Sequence, residues 1–197
     1  MNTLKAEKRS MDVKAKKLRR EGYVTGNLFG REIEGSIPLK FTKKEIEVLL
    51  KNNNKGSQVM LELDGKTYDA LIKEVDYNPL AHTVEEVDFQ ALVSNEMVHS
   101  VAEIILENEE MVVSGVLQDE LKEVAYKALP ADLVDKIKVD VAGMKIGDTL
   151  RVKDLEIAKN KNIHITTDLE SVIATVTPVH NVVPEAETET EDAAEEK

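Results

Sequence analysis

Val59, Leu61 and Leu63 alternate into Asp64-Gly65, and a second strand-like segment returns from about Thr67 to Val75. Successive side chains of a strand point to opposite faces, and Asp-Gly suits the two left-handed positions of a tight hairpin turn. This stretch is therefore committed to antiparallel β-structure with one buried face. The same pattern recurs along the chain. Leu4 and Ala6 mark a short strand, residues 23–39 read as two strands around a turn near Gly30, and Val87 to Val93 reads as another. Further on, Val101, Ile104 and Ile105 open a strand region, followed by Val112 to Leu117 and Val124 to Leu129. Ile137-Lys138-Val139-Asp140-Val141 alternates apolar and charged residues, the period of a half-buried strand. Pro130-Ala131-Asp132 and Gly147-Asp148 are turn signals.

Two helices interrupt this pattern. In the first half, Thr42 has the position of an N-cap, Glu45 closes a capping box, and Phe41 and Ile46 have the spacing of a hydrophobic staple. That helix continues through Leu50 and dissolves in Asn52-Asn53-Asn54. The other is the basic stretch Lys14-Ala15-Lys16-Lys17-Leu18-Arg19-Arg20-Glu21, with Ser10 or Asp12 as its expected cap and Gly22 as its end. At about 100° per residue, Met11, Ala15 and Leu18 share one face. Lys16, Lys17 and Arg20 cluster opposite, with Arg19 at their edge. One side can pack on a core while the other meets an anion.

Charge sharpens that reading. The 197-residue chain carries a formal net charge of −12, yet residues 1–21 hold eight Lys/Arg against three Asp/Glu. Residues 1–90 are near neutral at +1, and the remainder carries −13. An anionic partner belongs at the basic end, and nucleic acid leads, because neutralisation of phosphates by Lys and Arg dominates such affinities. The acidic half is expected to face away from it.

Other classes have little support. The chain has no cysteine, so disulfides and thiolate metal sites are excluded. No window approaches the ~18 apolar residues of a membrane span. No apolar run follows the basic start, so no secretory signal is expected. His82, His99, His164 and His180 are scattered without metal-ligand spacing, and no Gly-rich nucleotide loop or nucleophile–base constellation is present. The expectation is a soluble, non-enzymatic protein without cofactor. It has one unit over residues 1–93, a β-rich unit over 94–183, and a disordered tail over 184–197, rich in Glu, Ala and Thr.

Several short motifs, weak singly, are specific in their order. They are Arg9, Lys16-Lys17-Leu18-Arg19-Arg20-Glu21-Gly22, Phe29-Gly30, Val87-Asp88-Phe89, Ser114-Gly115-Val116-Leu117, Pro130-Ala131-Asp132, Val139-Asp140-Val141, Ile146-Gly147-Asp148 and Val152-Lys153-Asp154-Leu155. Together they resemble the bacterial ribosomal protein L25 family in its long two-domain form, the Ctc general stress proteins. The resemblance implies a mainly β fold with some α: an N-terminal small β-barrel with helices and a C-terminal β domain. It implies binding of 5S rRNA in the central protuberance of the large ribosomal subunit, beside other large-subunit proteins. It further implies a cytoplasmic, ribosome-associated protein, a monomer off the ribosome, with no enzymatic activity. Carried over residue by residue, it assigns Arg9, Lys16, Lys17, Arg19, Arg20 and Asp88 to the RNA face, with Phe29 and Gly30 beside them.

Three positions depart from the family pattern. Thr25 stands where the family usually has proline. Phe29 replaces a tyrosine whose hydroxyl can meet RNA, a loss of about 0.5–1.5 kcal/mol net. Glu86 replaces a histidine, exchanging a donor for an anion that phosphates repel. Either compensating contacts keep 5S rRNA binding, or this member is a stress-associated interaction factor that has lost most of it. The residues alone also admit plainer roles. The basic helix can be a solvated face, Arg9 a rim ion-pair partner, Asp88 an acceptor for backbone donors at a strand end, and Phe29 a core side chain.

Overall fold

The computed structural model describes residues 3–112 and 115–178. The expected tail over 184–197, together with Ser114 and His180, lies outside the described residues.

Residues Thr3–Lys8 (β1), Tyr23–Phe29 (β2), Ser36–Thr42 (β3), Gln58–Leu63 (β4), Lys66–Asn78 (β5) and Thr83–Ala91 (β6) close into a six-stranded barrel in the order β1-β3-β2-β6-β5-β4. Helix α1 spans Ala15–Arg20 between β1 and β2, and α2 spans Lys43–Leu50 between β3 and β4. The β4–β5 hairpin turns on Asp64 (φ 51°) and Gly65 (φ 77°), with Leu63 opposite Lys66, as the Asp-Gly signal predicts. Val59, Leu61 and Leu63 all point into the barrel and are buried. Leu4 and Ala6 do the same from β1.

Two parallel pairings complete the ring: β1 against β4, and β2 against β6. Hairpins cannot make such contacts, so the chain crosses over twice, through α1 and α2 among other elements. At the second pairing Gly26 is the point of closest approach. A Cβ there would overlap the Val87 carbonyl oxygen and crowd Phe41. Phe41 and Phe89 meet beneath it, ring centroids 5.4 Å apart.

Helix α2 begins as its sequence requires. Thr42 Oγ1 accepts the Glu45 N–H, and Glu45 accepts in return from the Thr42 backbone. Phe41 and Ile46, the two residues of the expected staple, are both buried in the barrel core. Helix α1 departs from expectation. Its N-cap is Lys14, with no side-chain cap bond. Ser10 and Asp12 bond each other instead, because the helix starts two residues beyond the reach of Asp12. Met11 precedes the helix and is 74% exposed, so of the expected apolar face only Leu18 is fully buried. Gly22, at φ 88°, ends α1 as expected.

Among the described residues, the second half holds two sheets. Val98–Glu107 (β7), Glu123–Ala128 (β9), Lys136–Asp140 (β10) and His164–Ile165 (β12) form one, in the order β10-β7-β9-β12. Val116–Asp119 (β8), Thr149–Arg151 (β11) and Val172–Thr177 (β13) form the other, in the order β11-β13-β8. A shared core includes Tyr126, Ile137, Val152, Leu155 and Ile173. Of the strand expected over Val112–Leu117, residues 113 and 114 lie outside the described residues, and β8 begins at Val116, after Gly115 at φ 118°. Between the barrel and these sheets, Asn54 Nδ2 donates to Glu103 (2.5 Å), Ser57 Oγ to Asp135 (3.2 Å) and Lys73 Nζ to the His99 carbonyl (2.8 Å).

The fold is mainly β with some α, barrel first. Gly26→Ala is expected to cost about 3 kcal/mol, since β2 and β6 must separate to admit a methyl group. Thr42→Ala, which removes only a cap, is expected to cost about 1 kcal/mol. Urea unfolding of both variants checks the ranking.

Candidate nucleic-acid interface

Helix α1 lies on the outside of the barrel against β2, pinned by Leu18. With that residue inward, Lys16, Lys17 and Arg20 project into solvent, as does Lys14 at the N-cap. Among the described residues, only Lys17 of these four has an ionic partner, Glu21 at 3.8 Å. The outer side of α1 is thus a compact cationic surface.

Arg19 turns the other way. Its Nη1 meets Glu85 Oε2 at 2.9 Å and its Nη2 meets Glu86 Oε2 at 3.1 Å. Nε donates to the Glu85 carbonyl (3.2 Å), and Nη2 also reaches Thr25 Oγ1 (3.4 Å). The network continues across the sheet. Asn27 Nδ2 donates to Glu86 Oε1 (3.4 Å) and Asp88 Oδ1 (3.1 Å), and Asp88 Oδ1 also accepts the Asn27 backbone N–H at 2.9 Å. Asp88 therefore satisfies a backbone donor, the plainer of its two readings.

The register of the barrel explains this crowding. On β6 the apolar Val87 and Phe89 point inward, so Glu86 and Asp88 point outward. β5 sets Asp76 opposite Glu86 and Glu74 opposite Asp88. Like charges directly opposite destabilise a sheet unless other groups compensate. Here Arg19 and Asn27 do so in part. The Glu86 carboxyl still lies above the ordinary carboxylate range, raised by burial first and by Asp88 second. Arg19 pulls it down, Asp76 adds to the rise, and Arg9 opposes it.

Arg9 lies close enough to act on Glu86 but is spent locally. Its Nη2 donates to the Val13 carbonyl at 3.1 Å, bracing the segment before α1. Its Nε is buried with no hydrogen-bond partner among the described residues. Phe29 lies about 13 Å along β2 from Thr25, with Gly30 just beyond the strand, and neither makes a hydrogen bond in the network. Phe29 is half-buried and belongs to neither buried core cluster. A Cβ on Gly30 would press on Ala91 at 2.9 Å.

The expected site thus divides. Arg19, Glu86 and Asp88 come together, Lys16, Lys17 and Arg20 form a separate outer surface, and Phe29 and Gly30 stand apart. Asn27 and Glu85 were not singled out from sequence, and Thr25 was singled out only as a departure from the family pattern, not as a partner of Arg19. Thr25 and Asn27 were within reach of the period of two on β2, which sends them out on one side while Val24, Gly26 and Leu28 go in.

Comparison with known proteins agrees with this architecture. Residues 4–89 match the Ribosomal L25p family model, and residues 97–180 match the model of the ribosomal protein TL5 C-terminal domain. A large ribosomal subunit protein bL25 from Carboxydothermus hydrogenoformans is 33% identical over 96% of this chain and 98% of its own length. The bL25 of Caldicellulosiruptor saccharolyticus is 33% identical over 88% of this chain and 84% of its own. That of Bacillus velezensis is 30% identical over 98% and 94%. A closed β-barrel followed by β-rich sheets, matched along its length by these two models, defines a ribosomal protein of the two-domain kind. The chain belongs to the bL25 family of large-subunit ribosomal proteins, in its two-domain form.

Because the folded chain binds the Glu86 proton more tightly than the unfolded chain, stability falls as pH rises from the ordinary carboxylate value through the raised one. Glu86→Gln cannot ionise and keeps one carbonyl acceptor. Wild-type stability minus that of Glu86→Gln is therefore expected to be greatest under acid conditions and to shrink towards neutrality. Denaturant unfolding between about pH 4 and pH 7 checks the sign. A difference that grows towards neutrality contradicts it.

Proposed function

We propose that the barrel region, residues 1–93, binds 5S rRNA in the central protuberance of the large ribosomal subunit. In this reading the region 94–183 faces neighbouring large-subunit proteins or solvent. The protein is cytoplasmic, ribosome-associated, and a monomer off the ribosome. One observation carries the reading: three cations, Lys16, Lys17 and Arg20, stand exposed on the side of α1 away from Leu18, with Lys14 exposed at the N-cap, and only Lys17 of the four has an ionic partner among the described residues. Folded RNA is read largely through phosphates, 2′-hydroxyls and shape. A rigid helix that presents several cations from a barrel surface suits that target. Asp88 and Asn27 supply polar groups at the adjacent sheet, and Phe29 with Gly30 a flat contact at the far end of β2. Arg9 braces the segment that leads into α1. The −13 charge of residues 91–197 favours an orientation away from the phosphates.

A second reading, a stress-associated interaction factor with weak or lost 5S rRNA affinity, is favoured by one feature. Glu86 shares its face with Asp88, Asp76 and Glu74, a field that phosphates would oppose.

Titration of the purified chain with its own organism's 5S rRNA over a salt series separates the two. Ribosomal binding survives unrelated competitor RNA, and log K falls with log salt with a slope of about −3 to −4 for four phosphate contacts. Binding no tighter than to unrelated RNA favours the second reading. Under that reading Glu86→His with Phe29→Tyr raises the affinity tenfold or more, whereas under the first it does not.

A further inference from the structure

Arg19 is expected from the family resemblance to touch RNA, yet its guanidinium is already spoken for. All three nitrogens have partners: Nε the Glu85 carbonyl, Nη1 the Glu85 carboxylate, and Nη2 both Glu86 and Thr25. Those partners belong to β2 and β6, the strands beneath α1. They are themselves held. Asn78 Nδ2 donates to Glu85 Oε1 at 2.7 Å, Thr25 Oγ1 to the Glu85 carbonyl at 3.3 Å, and Asn27 Nδ2 to Glu86 Oε1 at 3.4 Å. The socket is built around the arginine, and two carboxylates take the places that phosphate oxygens would take.

An incoming phosphate gains little there. It would have to displace Glu85 and Glu86 from Arg19 while facing Asp88, Asp76 and Glu74 on the same sheet face. Helix α1 in turn has few other anchors. It is six residues long, too short to persist by itself, and Leu18 is its one fully buried side chain. Planar, forked and always charged, a guanidinium suits a fixed joint better than an ammonium group does.

We propose, on the basis of the 5S rRNA reading, that Arg19 is a positioning residue: it bolts α1 to the β2–β6 face through Glu85, Glu86 and Thr25. Held this way, α1 presents Lys14, Lys16, Lys17 and Arg20 to the RNA, and Arg19 itself contacts no phosphate. Glu85, which no resemblance singles out, is as much a part of the joint as Arg19.

The slope of log K against log salt reads out phosphate contacts and is insensitive to a helix that is merely loosened. Full-length Lys16→Gln, Arg19→Gln and Glu85→Gln are each titrated with a 5S rRNA transcript. Lys16→Gln is expected to lower the magnitude of the slope by about 0.7–0.9. Arg19→Gln and Glu85→Gln are both expected to leave the slope unchanged, to weaken binding to a similar extent, and to speed amide exchange over residues 15–21. A slope that falls in Arg19→Gln as it does in Lys16→Gln overturns the proposal. So does tighter binding by Glu85→Gln, the mark of a freed phosphate ligand. Should Arg19→Gln fail to fold, the Arg19 Nε–H resonance of the wild-type chain decides: unmoved on RNA addition supports the joint, and displacement overturns it. Failure of the wild-type chain to bind at all overturns the RNA reading and this inference with it, and shows as a titration without any transition.

Discussion

Closure of the barrel through the parallel contact of β2 with β6 governs the rest of the N-terminal half. Gly26 permits it, since any side chain there would collide with the Val87 carbonyl. Once the two strands pair, with Thr25 beside Glu86 and Leu28 beside Phe89, every side chain on the outer face has its neighbours fixed. Val87 and Phe89 go into the core, and Glu86 and Asp88 come out beneath α1. The carboxylates beneath a basic helix follow from this register, because a strand shifted by one residue would turn its apolar side chains to solvent.

Apart from Lys5 and Lys8 on β1, that geometry splits the cations of the first 21 residues into two groups. Arg9 and Arg19 turn inward, one to a loop carbonyl and the other to Glu85 and Glu86, and hold the structure. Lys14, Lys16, Lys17 and Arg20 remain outside. On the proposed reading, long-range attraction of RNA falls to the outer group, which is exposed and subject to salt screening. Fixed geometry depends on the inner group, where half-burial and short distances make each ion pair worth more than at the surface. Glu86 marks the cost of the arrangement. Its raised carboxyl range means that the surrounding carboxylates and burial outweigh the pull of Arg19 and Arg9.

Local chemistry was legible in the sequence where it was self-contained. The Thr42–Glu45 capping box, the Asp64-Gly65 turn, the Gly22 helix end and the inward alternation of Val59, Leu61 and Leu63 need only neighbours a few residues away. Three kinds of feature were not legible. The closure pairings join β1 to β4 and β2 to β6, which lie far apart in sequence, and hydrophobic alternation does not encode a partner. The strand β12 has two residues and β11 three, too short for any period to show. The direction of Arg19 depends on what lies beneath α1. A helical projection put it at the edge of the cationic face, correctly, but edge residues go whichever way an acceptor stands. Ser10 and Asp12, each a good cap by type, found each other first.

On the proposed reading, RNA meets this protein on the outer side of α1 and the neighbouring β2–β6 surface, and not on the acidic second half. Backbone hydrogen exchange of the full chain, alone and saturated with 5S rRNA, tests it most directly. Added protection is expected over residues 14–30 and 85–90, with none over 98–177. Protection centred in the second half, or an α1 segment unchanged by RNA, would contradict it.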